Sequence, residues 1–113
     1  MKICFLLFLF FTYHLIAADE YKSWSHKGNI SIITTPEGAD LPSSAKETNV
    51  PLLVRLNKDT FNFSEAQKDG SDIRFSIQGK PLKYSIESWD AKNGKALIWV
   101  LAPEIKGNEI QTL

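Results

Sequence analysis

Leu82-Lys83-Tyr84-Ser85-Ile86-Glu87-Ser88-Trp89-Asp90-Ala91-Lys92-Asn93-Gly94-Lys95-Ala96-Leu97-Ile98-Trp99-Val100-Leu101 is the stretch that decides the fold. From Leu82 to Trp89 the side chains alternate, with Leu82, Tyr84 and Ile86 on one face and Glu87 and Trp89 on the other, the period of two that a strand requires. Asn93-Gly94 follows. That pair tolerates the positive φ needed at both central positions of a type I′ turn, so the chain is expected to double back there. On the far side, Ala96 to Leu101 is apolar at every position, which predicts a central strand covered from two sides, with Trp99 in the core.

The flanking sequence extends the same pattern. Gly28 to Thr35 is rich in β-branched residues and reads as a strand ended by Pro36-Glu37-Gly38, and residues 36–49 read as a loop. In Val50-Pro51-Leu52-Leu53-Val54-Arg55-Leu56-Asn57 the residues Val50, Leu52, Val54 and Leu56 share one face. Pro51 has no N–H to give to a ladder, which places it at the strand's start or on an edge. Thr60 to Lys68 closes with a single helical turn capped by Ser64, and Asp69-Gly70 is a turn. Asp72 to Ile77 resumes alternation, with Ile73, Phe75 and Ile77 pointing inward, before Gln78-Gly79-Lys80-Pro81 turns the chain again. Glu109 to Leu113 opens one more alternating run and stops, which suggests a truncated reading frame. Short strands divided by turn residues, with no sustained helical period, predict an all-β antiparallel sandwich of jelly-roll or concanavalin-like type.

The first eighteen residues have a composition of their own. Lys2 is followed by the apolar run Ile3 to Phe11 and by the small pair Ala17-Ala18, which reads as a cleavable secretory signal; the run is shorter than the roughly 20 apolar residues of a membrane span. Cys4 precedes the apolar run, so it is not placed to carry a lipid. The domain organisation is therefore a signal peptide at 1–18, a lead-in at 19–27 and a β-domain at 28–113, incomplete at its C-terminal end. Without residues 1–18 the 113-residue chain has 95 residues, no cysteine, and 12 basic against 13 acidic residues, a net charge of −1. No disulfide can staple such a domain, and nothing in its charge points to nucleic acid or to a polybasic membrane partner.

Few residues suggest chemistry. Asp72 and Arg74 lie two apart on an expected strand and so share a face, and Glu87 and Trp89 join them if the next strand pairs alongside. One reading is a polar platform with an aromatic stacking surface for a sugar ring or a peptide; the other is a cross-strand ion-pair network covered by Trp89. Glu87 and Asp90 sit in one local segment, whereas a glycosidase pair flanks its substrate from two sides of a cleft, so no catalytic residue is assigned and the chain is not expected to be an enzyme. Asp69, Ser71 and Asp72 invite a calcium reading, but they lack the longer series and distal glutamate of an EF-hand loop, and turn chemistry accounts for Asp69-Gly70. No metal site and no cofactor is expected. His26, the single histidine after the leader, is expected at the surface, and the sequons at Asn29 and Asn62 are taken as coincidence.

Pro51 to Leu56, Phe61-Asn62-Phe63, Asp69 to Phe75, Tyr84 to Asp90 and Ala96 to Val100, in that order and spacing along most of residues 49–113, resemble the uncharacterised bacterial family DUF2341. The resemblance implies an exported or envelope β-domain, often next to a concanavalin-like or laminin-G-type lectin domain, and in some proteins next to a proton-channel module of the kind that energises biopolymer transport. The family pattern ends in a Tyr-x-Gly-Asn-like motif that this chain does not reach. The expectation is a non-catalytic recognition or interaction module in the periplasm, at the cell surface or outside the cell, binding polysaccharide or cell-envelope glycan through Asp72, Arg74, Glu87, Trp89 and Asp90. An accessory domain of an envelope transport complex and a structural spacer are the alternatives, and a membrane span is not expected after the leader.

Overall fold

The computed structural model describes residues 20–113; the expected signal sequence and its cleavage point lie outside them. The described chain is all-β, as expected, with three antiparallel sheets in an open sandwich. Its strands are β1 (Ser31–Ile33), β2 (Lys46–Asn57), β3 (Ser76–Ile77), β4 (Lys80–Pro81), β5 (Tyr84–Asp90), β6 (Lys95–Lys106) and β7 (Ile110–Thr112). The main sheet has the order β2-β6-β5, and β1-β7 and β3-β4 form two-stranded ribbons.

β6 is central, as its apolar sequence predicts, but only one of its faces is covered. Ala96, Ile98, Val100 and Ala102 are buried, and Ile98 and Val100 have no exposed surface. The register sets Val50, Leu52, Val54 and Leu56 of β2 beside them on one side, and Tyr84, Ile86 and Trp89 of β5 on the other. Phe75 is buried against this row, with Ile30, Ile73, Leu82 and Leu113 packed around it. The opposite face of β6 is open, and Trp99 is 41% exposed there. The expected second cover and the core placement of Trp99 are therefore both corrected.

Several boundaries differ for physical reasons. β2 starts at Lys46, inside the expected loop, because β6 runs on to Lys106 and supplies the partners Glu104, Ile105 and Lys106. Pro51 consequently lies inside a strand, but on an edge: Leu101, its partner, donates its N–H to Lys83 O, so the polar backbone groups of Leu101 turn to β5 and those of Pro51 turn away from the sheet. The expected strand over 28–35 is only three residues long, since β7 offers three partners. Buried Thr34 then ties the ribbon to β6: its hydroxyl lies 2.6 Å from Lys106 O and accepts the Glu109 N–H at 3.0 Å. The 3-10 turn Phe63–Glu65 is capped by Asn62, not Ser64, with Asn62 Oδ1 accepting the Ser64 N–H.

Turn chemistry also moves. Asp72–Ile77 is not a full strand; only Ser76–Ile77 pairs, forming a tight ribbon with β4 in which Gln78 and Gly79 have φ of 50° and 75°. The type I′ pair is thus Gln78-Gly79. Asn93-Gly94 belongs to a four-residue loop between Asp90 and Lys95, in which Gly94 but not Asn93 has positive φ. Asp90 organises that loop, accepting the Asn93 N–H at 3.1 Å on Oδ1 and the Asn93 amide at 2.8 Å on Oδ2. The Asn93 side chain, then the Asn93 N–H, and to a smaller extent the Lys95 charge hold the Asp90 carboxyl below the usual aspartate range.

Replacing Ile98 with Ala is expected to cost about 2–5 kcal/mol in denaturant unfolding, against about 0.5 kcal/mol or less for Ser85→Ala on the open face. Because the folded-state value of Asp90 is depressed, the loop's contribution is fully present above the ordinary aspartate pKa and is lost as pH falls through the lowered one. A carboxylate-detected NMR titration should show a depressed Asp90 midpoint that moves back toward the usual range in Asn93→Ala.

Candidate functional site

The five residues singled out by sequence do not converge on one surface. Asp72 accepts the Gln67 N–H at 2.9 Å and so closes the loop from Gln67 to Asp72. Asp69 does the same for the Ser71 N–H at 3.0 Å, and Ser71 holds its carboxyl below the usual range through its side chain first and its N–H second. Both carboxylates of the suggested calcium loop are thus engaged by backbone. Among the described residues no three or more His, Cys, Asp and Glu side chains group as metal ligands.

Arg74 pairs with neither Asp72 nor Glu87. Its Nη1 donates to Ser71 O at 2.9 Å, Ile73 O at 2.7 Å and the Tyr84 hydroxyl at 2.8 Å. Its guanidinium lies 5.9 Å from the Trp24 ring centre, within cation–π range, and meets Tyr84 through the hydroxyl, so it ties the N-terminal lead-in to β5. The expected ion-pair network is absent; among the described residues the ion pair is Lys46–Glu104 at 3.4 Å, and His26 Nδ1 lies 3.1 Å from the Glu65 carboxylate, a pair that is charged only with the imidazole protonated. His26 is exposed, as expected.

Glu87 and Trp89 do not share a face. The register passes from Ile86↔Ile98 to Ser88↔Leu97, so one extra residue is inserted in β5 at Glu87. A bulge of this kind resets the alternation. Trp89 is thereby brought opposite Ala96, onto the core side, where the small alanine leaves room for an indole. Phe63 at 5.2 Å and Phe61 at 5.9 Å pack edge-on against it. Gly70, at φ 71°, lies beneath the ring; a Cβ there would stand 2.5 Å from it. Trp89 is therefore a half-buried packing residue, and Glu87 and Ser88 are left exposed side by side. Asp90 is occupied by its loop.

The surface that sequence reasoning missed is the open face of the main sheet. Three cross-strand rows define it: Arg55–Leu97–Ser88, Leu53–Trp99–Ser85 and Pro51–Leu101–Lys83. A Leu97–Trp99–Leu101 ridge runs along β6, with Leu53 beside it. Arg55 stands on the β2 edge opposite Leu97, and Glu87 on the β5 edge in the bulge, next to Ser88. Both are exposed, and neither has a hydrogen-bond or ion-pair partner among the described residues. The signal was present in the neighbours: Arg55, Ser85 and Ser88 occupy the rows beside Leu97 and Trp99, and polar residues there argue against a buried second face. Gly70→Ala should destabilise the fold by more than about 1 kcal/mol, because the backbone angle is unfavourable for alanine and the methyl group meets the indole. The same variant should alter Trp89 indole NMR signals while leaving those of Trp99 in place.

Compared with known proteins, the chain matches no curated sequence and no solved structure. A family match does exist. It begins at the Asp69 turn, after the Val50–Leu56 and Phe61–Phe63 segments of the sequence pattern, and runs through β3 to β7. Residues 69–113 match DUF2341, described as a domain of unknown function, the family that the sequence resembles.

Proposed function

We propose that the chain is a non-catalytic interaction module that works outside the cytoplasm and docks a protein partner on the open face of the β2-β6-β5 sheet. The observation that carries this reading is Trp99, 41% exposed at the middle of the central strand and lined up with Leu97 and Leu101. An apolar ridge of this kind, rimmed by charged residues without partners, has the anatomy of an interface: aromatic and aliphatic centre, polar edge. The signal-like leader supports export, and among residues 20–113 no helix is long and apolar enough to cross a membrane.

Catalysis is disfavoured by the carboxylates themselves. Asp90 is held ionised by Asn93, which suits it poorly to give up a proton, and Glu87 stands exposed and unpaired at the strand bulge. Polysaccharide is the second reading, favoured by the exposed Trp99 indole with Ser85 and Ser88 on the same face, an arrangement on which a sugar ring can stack. It no longer draws on Trp89, whose ring is packed between Phe61, Phe63 and Gly70. A lectin-like neighbour and an envelope transport complex are the two settings in which such a docking face would serve, and a bare spacer would have no use for it.

A photo-crosslinking amino acid placed at Trp99 in the exporting cell tests this. The expected result is a protein adduct in the exported fraction from position 99 and none from the exposed loop position Ser43. No adduct from position 99 would overturn the reading. If soluble glycans then shift the Trp99 indole NMR signal and leave that of Trp89 unchanged, the polysaccharide reading takes its place.

A further inference from the structure

We infer that the partner seated on this face is a second copy of the same chain, stacked sheet on sheet about a two-fold axis parallel to β6. The inference rests on the docking reading above and adds the identity of the partner. It follows from where the unpaired charges stand. Arg55 on β2 is paired with Leu97, and Glu87 on β5 sits in the bulge beside Ser88, Leu97's other partner, so the two charges stand within one residue of the same level on opposite edges. A two-fold axis along the ridge exchanges the edges while keeping the level. Arg55 of each copy then faces Glu87 of the other, so that two Arg–Glu pairs form, as an isologous interface requires.

The apolar part of the face agrees with this arrangement. Leu97, Trp99 and Leu101 each meet their own counterpart, Leu53 lies over Ser85, and Pro51 lies over Lys83. Stacked sheets sit about 10 Å apart, a gap that an arginine and a glutamate reaching toward each other can close. The alternative in-plane axis, across the strands, sets Glu87 against Lys83 but leaves Arg55 over Pro51, with no opposite charge. Beyond the ridge, the row Asn57–Lys95–Asp90 bounds the apolar area; the same axis sets Lys95 against its own counterpart, and the Asp90 carboxylate beside each lysine offsets that like charge.

The area sets the strength. Three strands at ~4.8 Å spacing and about six residues of each give a footprint of roughly 15 by 20 Å, well under that of a standard interface. The association is therefore weak and reversible, and it strengthens where copies are concentrated or tethered.

Sedimentation of the purified exported chain over a concentration series tests the inference, with circular dichroism confirming that each variant is folded. The expected result is a monomer–dimer equilibrium below ~1 mM, weakened at least about tenfold by Arg55→Glu or by Glu87→Arg alone. The double variant, which restores opposite charges across the axis, should return to within about threefold of the original. A chain that stays monomeric at ~1 mM, or a double variant as weak as the single ones, would overturn the inference. An adduct from position 99 with a different protein, together with a monomeric chain, removes the self-association and leaves the docking reading standing. No adduct and no dimer removes both.

Discussion

Ile98 and Val100 are the largest side chains with no exposure, and both lie on β6, so the row Ala96–Ile98–Val100–Ala102 is the seam on which the other elements close. Burial of about 1.5–3 kcal/mol per large aliphatic side chain is the main favourable term available to a domain whose described residues include no cysteine. β2 and β5 are held to that row by register, and the Ile73–Leu82 segment and the ends of the β1-β7 ribbon cover it. The bulge at Glu87 follows from the same demand. Without the added residue, Trp89 would fall on the side of Ser85 and leave the space above Ala96 unfilled.

Much of this was legible from residue order alone, because alternation is a direct record of which side of a strand is dry. Val50 to Leu56 shows the principle: every second residue lies on the buried side of the sheet, level with the buried row of β6, and Ile73 and Phe75 likewise turn inward although their segment is mostly unpaired. The pattern misleads where the period slips. A single inserted residue inverts everything after it, and nothing in Ser85-Ile86-Glu87-Ser88 announces the insertion. Turns were misplaced for a related reason. Asn-Gly favours a tight two-residue reversal, yet Asp90 offers Asn93 a better local partner and draws the loop out to four residues, while Gln78 accepts positive φ to close the β3-β4 ribbon.

The candidate site was legible only in part, because most of the residues that stand out in the sequence are taken up by local contacts. Polar residues on a small domain are mostly engaged in local geometry: Asp69, Asp72 and Asp90 satisfy backbone donors, and Arg74 joins the lead-in to β5. What is left over after such local satisfaction is the informative remainder. Here it is an indole and two lone opposite charges on a face that a continuous apolar strand had led one to regard as covered. A run apolar at every position states that both sides avoid water, but not which molecule supplies the cover.

Pro51 gives the main sheet a property of a different kind. β2 is twelve residues long and has a strand neighbour on one side only, the geometry by which exposed sheet borders recruit further chains into fibres. The imino nitrogen at the outward position breaks that border into two shorter runs of donors, and an incoming strand would meet a gap near the middle of its length. Open-ended polymerisation is thereby discouraged while the broad surface of the sheet stays accessible.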